Sequence, residues 1–151
     1  MNMKSANQTD LQVKIELRIR TIRTLWIAMI LSIGIYYAFT FFAGQPKDVN
    51  PNSVLSLILI AVGLLATLIS VPIKNRFLNQ SVEQQRVQLV QQGYIVAWAV
   101  TEVAALLGLL DFFLTGNRYY YLLFIIAACG QLLHFPRREH VINACFKKPM
   151  F

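Results

Sequence analysis

Charge is what this chain has least of. Charged residues make up 14% of its 151 positions, against 56% hydrophobic ones. A water-soluble domain carries about a quarter charged residues, so too little polar surface exists here to cover a globule in water. Cysteine is scarce as well: Cys129 and Cys145 form no CxxC pair. That excludes a disulfide scaffold and the paired-thiol chemistry of four-span oxidoreductases. The chain also lacks a phosphate loop, a dinucleotide fingerprint and a serine-elbow motif. His134, His140 and Cys145 fit no zinc-ligand spacing, so no metal, no cofactor and no catalytic group is expected. The length allows one domain.

What is present is apolar sequence in long runs. A membrane-crossing helix needs about 20 mostly apolar residues, at about 1.5 Å each against a core about 30 Å thick. Four windows qualify, at about 25–43, 54–73, 94–114 and 119–135. The last is short, but Tyr119, Tyr120 and Tyr121 suit the interface belt and Arg118 can snorkel. Trp26 and Trp98 near the other boundaries read as interface anchors of the same kind. No signal-peptide pattern precedes the first window, and the N-terminus is expected to be retained.

Lysine and arginine set the orientation. Five lie before the first span, three between spans two and three, and four in the tail. Only Lys47 and Arg118, of fourteen, fall on the other side. The positive-inside rule then places both termini in the cytoplasm, as in a bacterial inner membrane. The net charge of +7 is accounted for by topology and attraction to anionic membrane lipids, with no nucleic-acid partner. Both outer links, Gly44–Ser53 and Thr115–Asn117, are short and rich in turn formers. Consecutive spans are therefore expected as antiparallel neighbours. The expected fold is all-α: an integral membrane four-helix up-down bundle (25–135) between a cytoplasmic N-terminal helical extension (1–24) and a cytoplasmic tail (136–151).

The flanking segments read as follows. Leu11–Trp26 alternates like a strand, yet Leu11, Ile15, Ile19, Ile22 and Trp26 also recur at helical spacing. A lone strand would have no partner, and Thr9 with Gln12 suits a helix start, so a helix is favoured. Between spans two and three, Ser81 and Gln84 fit a second helix start, while Pro72 is expected to end or kink span two. In the tail, Val141, Ile142, Cys145 and Phe146 share one face of a short amphipathic helix, expected at the lipid interface.

Two acids remain inside the spans. Glu102 lies eight residues into the third, about 12 Å deep. An aspartate at a helix centre costs about 2.5–3.5 kcal/mol and a glutamate should cost about the same, so an intramembrane acid is a functional candidate. Asp111 is about half a turn away around the helix, near the outer boundary. It reads as structural, satisfied by Arg118 or a tyrosine. Depth counting offers Ser32, Thr67 and Gln131 as neighbours of Glu102, with Thr101 beside it in sequence. Such residues can hydrogen-bond a carboxyl group and hold it protonated.

The segment Ala97–Leu114, AWAVTEVAALLGLLDFFL, resembles the carboxylate helix of the ATP-synthase and vacuolar-ATPase proteolipids. That resemblance implies a proton carried on Glu102. It covers about 18 residues; the glycine-repeat helix and polar loop of the family have no counterpart here, and the acid sits in a different span. The "TEV" around Glu102 is similar to the small multidrug-resistance transporters, and the whole chain resembles small uncharacterised bacterial four-span proteins. The expected function is non-enzymatic: a homo-oligomer, or an accessory or structural subunit of a larger membrane complex. The alternative is a proton- or cation-coupled transporter or channel subunit working through Glu102.

Overall fold

The computed structural model describes residues 3–44 and 53–145, and all regular structure among them is helical. The helices are α1 (Met3–Ala43), α2 (Ser53–Gln84), α3 (Val87–Thr115), α4 (Tyr121–Leu133) and α5 (Arg138–Cys145). A single 3-10 turn, Arg118–Tyr120, precedes α4.

Burial decides how the N-terminal segment folds. Ile15, Ile19 and Ile22 are buried, whereas Val13 and Leu17 are 52% and 58% exposed. In a strand, residues 13, 15, 17 and 19 would share one face. Only a helix separates them, and with no glycine or proline before Gly34 it runs on unbroken as α1.

The second hairpin turns later than the sequence suggested. Pro72 lies inside α2 without ending it, and Ser81 does not begin a new helix. The Ser81 hydroxyl instead donates to the Leu78 carbonyl at 2.6 Å, which occupies the group that would have capped. The chain reverses at Gln85, whose φ is 52°, and Arg86, whose backbone N–H donates to the Ser81 carbonyl at 3.1 Å. Gly93 permits the close approach of the two arms, since a β-carbon there would lie 2.7 Å from that of Phe77. At the other end of α3, Gly116 closes the helix in the left-handed conformation at φ 58°.

The neighbour pattern also departs from expectation. α3 and α4 form a central pair, each packed against both α1 and α2, while α1 and α2 touch each other little or not at all. The nine-residue link between them can reach about 30 Å, so chain connectivity does not force adjacency. Hydrogen bonds from Trp26 and Ser32 hold α1 to α4 and α3 instead.

Three stretches are long and apolar enough to cross a membrane: Ile15–Ala43, Val54–Gln84 and Val87–Thr115. The expected fourth span is corrected in length. α4 has 13 residues, about 20 Å, and reaches further only with the 3-10 turn before it and α5 after a 44° bend. Within the apolar stretches 11% of α1 is buried, 28% of α2 and 44% of α3, which makes α3 the inner helix. Two cores result. Ile33, Ala104, Ala105, Phe124 and Ala127 pack in the apolar region. Ile15, Ile19, Ile22, Val90, Tyr94, Trp98, Val141 and Ala144 pack where α1, α3 and α5 meet. Here α5 differs from expectation: Val141 and Ala144 dock on protein rather than lipid, while Phe146 lies outside the described residues.

Candidate functional site

Three polar groupings occupy the helix interfaces. The first is around Glu102, which α3 turns toward α1. Ser32 Oγ lies 2.7 Å from Glu102 Oε1 and equally 2.7 Å from the Met29 carbonyl. The Ser32 hydroxyl thus bridges the carboxyl group of α3 and the backbone of its own helix. The Tyr36 side chain, one helical turn beyond Ser32, also stands in electrostatic range of the carboxyl group. Glu102 is only partly buried, at the outer edge of the α1–α3 contact.

The other predicted neighbours gather elsewhere. Thr67 donates to the Gly63 carbonyl at 3.0 Å, and Thr101 lies 2.8 Å from the Trp98 carbonyl and 3.1 Å from that of Ala97. Both methyl groups press on Gly130, on the α2–α4 side of α3. Gln131 donates to the Trp98 carbonyl at 3.2 Å, and its Oε1 is buried without a partner. Of Ser32, Thr67, Thr101 and Gln131, the fold brings only Ser32 to Glu102. Depth along a helix was legible; which side of it each residue takes was not.

Asp111 forms the second grouping, and its partners are neither Arg118 nor a tyrosine. Ser56 donates to Oδ2 at 2.8 Å and Thr115 lies 2.7 Å from Oδ1. The side chain is completely buried. A carboxyl enclosed with short hydrogen bonds to α2 and to its own helix ties the two together.

The third grouping lies where α2, α3 and the tail meet, and sequence reasoning missed it. His134 is completely buried, with Nε2 2.6 Å from the Ser70 hydroxyl. Because Ser70 donates to the Thr67 carbonyl, Nε2–H is the donor to Ser70 and Nδ1 is left as an unpartnered acceptor. The Tyr94 hydroxyl accepts from the Arg137 backbone N–H at 3.2 Å and meets His140 Nδ1 at 2.6 Å. One tyrosine hydroxyl thus joins α3 to both the Arg137 backbone and the His140 ring of the tail. Burial first, then the nearby Lys74 and Arg137, hold the His140 imidazole below its usual range; Glu139 offsets part of this. The signal available in sequence was a tyrosine and two histidines bracketing Pro136, but nothing in their spacing pairs them.

The aromatic anchors divide. Trp98 is 1% exposed and donates to the His134 carbonyl at 3.2 Å, so it is an interior strut rather than an interface anchor. Trp26 is partly buried, donates to the Gln131 carbonyl at 2.9 Å and stands edge-on to Phe135. Tyr119 is exposed, while Tyr120 packs on Phe112 with its hydroxyl 3.5 Å from Thr40. Among the described residues no group of three or more histidine, cysteine or acidic side chains could hold a metal.

Comparison with protein-family models, curated proteins and solved structures finds none that matches this chain. The functional reading therefore rests on the geometry.

Proposed function

We propose that this chain is a non-enzymatic, four-span protein of a bacterial inner membrane, with both termini cytoplasmic, built to assemble. It acts as an oligomer or as an accessory subunit of a larger membrane complex. The observation that carries this reading is an open apolar groove of about 450 Å³ between α1 and α4. Ile33, Gly34, Phe124, Ala128 and Leu132 line it, and a β-carbon at Gly34 would meet nothing within 4 Å. Small residues at a membrane-facing groove let another helix approach closely, and packing is what drives helix association in lipid. The charge bias supports the orientation, with the 3-10 turn and α4 as a short fourth crossing and α5 in the cytoplasmic tail. Gentle detergent extraction should yield a defined oligomer or a co-purifying partner; a lone monomer would sink the proposal.

Glu102 favours a second reading, a proton- or cation-coupled transporter or channel subunit. Glu102 is partly exposed, and its carboxyl group accepts from the Ser32 hydroxyl. Glu102→Gln in liposomes should abolish ion flux on this reading. Absence of flux in the unmodified protein would remove it.

A further inference from the structure

Beyond the membrane-embedded part, α2 and α5 enclose a small polar pocket that neither functional reading uses. It has a volume of about 230 Å³ and is lined by Asn75, Leu78, Asn79, Val82, His140 and Asn143. No carboxylate lines it. The three asparagine amides have no hydrogen-bond partner among the described residues. His140 turns its Nδ1 to Tyr94, and its Nε2 has no partner among the described residues. The three asparagines are exposed, so the wall offers polar groups that a ligand can reach from solvent.

The surrounding charge has one sign. The Lys74 ammonium sits 5.9 Å from the centre of the Tyr94 ring, whose hydroxyl contacts His140. Lys74 and Arg137 lie close enough to repel each other, and both act on His140. Glu139 is the one acid in electrostatic range of His140. Among the described residues the sole ion pair is Arg138 with Glu16, at 3.4 Å, so Lys74 and Arg137 have no carboxylate partner. A partly buried lysine beside an arginine, with no counter-ion, is an arrangement that a bound anion would stabilise.

We propose that the α2–α5 pocket is a phosphate-binding site, in which Asn75, Asn79, Asn143 and His140 line the wall around a phosphate group held by the positive field of Lys74 and Arg137, which stand outside the lining on the Tyr94 side of His140. The phosphate comes from a lipid headgroup or from a soluble phosphate. In the proposed topology the pocket lies at headgroup depth on the cytoplasmic face, just past the end of span two and past Pro136.

The test uses the full chain in nanodiscs, with the thermal unfolding midpoint as readout. Phosphatidylglycerol discs are compared with discs of a phosphate-free galactolipid, the latter with and without inorganic phosphate. The site requires a raised midpoint in one of the two phosphate arms, and the arm that responds names the source. Lys74→Gln with Arg137→Gln should weaken the half-effect concentration of the responding phosphate by about tenfold or more. Asn79→Asp, at an exposed position, should abolish the shift by placing a carboxylate in the wall. Arg20→Gln with Arg23→Gln, neither of which lines the pocket, should leave it unchanged. No shift in either arm overturns the proposal. So does a shift that all variants share, which would be a general surface-charge effect.

Discussion

Substituting Gly130 by alanine isolates the packing that holds the three inner helices together. A β-carbon there would lie 2.7 Å from the methyl carbons of both Thr67 and Thr101. Carbon atoms pack at about 3.5–4.0 Å, so the shortfall is about 1 Å on two sides at once. Neither threonine can turn away freely, because each side chain is β-branched and its hydroxyl bonds a carbonyl of its own helix. Overpacking of this kind costs about 1–3 kcal/mol. Alanine returns about 1 kcal/mol of helix propensity, leaving a net loss of up to about 2 kcal/mol. Gly34→Ala is the internal standard, since nothing lies within 4 Å of its new methyl group, and it should gain about 0.5–1 kcal/mol. The two alanines therefore differ in sign. Serine at positions 67 and 101 removes the methyl groups while keeping both hydroxyl bonds, and should restore about 1 kcal/mol to the Gly130 variant. Unfolding in mixed micelles with increasing dodecyl sulfate, followed by fluorescence of the buried Trp98, measures all of these. The reasoning is refuted if Gly130→Ala is as stable as Gly34→Ala, or if the serines bring no recovery.

Three further outcomes follow from the polar contacts. Ser56→Ala removes a 2.8 Å donor to the buried Asp111 and should cost about 1–3 kcal/mol in the same unfolding assay, whereas Arg118→Gln should leave stability unchanged. Trp26→Phe keeps the ring against Phe135 but loses the 2.9 Å bond to the Gln131 carbonyl, for about 0.5–1.5 kcal/mol; an unaltered midpoint would show that bond contributes nothing. His140 gives a pH dependence. Well above its ordinary value near 6.5 the imidazole is neutral whether the chain is folded or not. As the pH falls, the unfolded chain takes the proton first, so stability declines until the pH drops below the depressed folded value. His140→Gln should flatten that decline, and an identical slope in both proteins would refute the assignment.

The sequence carried the one-dimensional part of the candidate site but not its pairing. Glu102 stood out because the bilayer disfavours an acid at its depth, and Ser32 was correctly placed at the same height. Tyr36 was legible in principle, one turn from Ser32 on the same face, yet a tyrosine among apolar residues reads as lipid-facing. Thr67, Thr101 and Gln131 share the depth of Glu102 but point to Gly130 and Trp98, because helix rotation cannot be read from hydropathy when every face is apolar. Asp111 shows the same limit. Its partner Ser56 lies 55 residues away, and only the packing of α2 on α3 brings them together.

The sequence by itself determined that the chain forms helices long and apolar enough to cross a membrane, because its apolar runs are long and its charge is only 14%. It also set the charge asymmetry, with twelve of fourteen basic residues in alternate segments. Tertiary structure decided the rest. α1 packs on α3 and α4 rather than on α2, α5 docks against Tyr94 and Val90, and Trp98 is enclosed instead of anchoring an interface. The physical reason is that in lipid the apolar faces are nearly equivalent, so neighbours are chosen by a few hydrogen bonds and close glycine contacts whose two halves lie far apart in sequence.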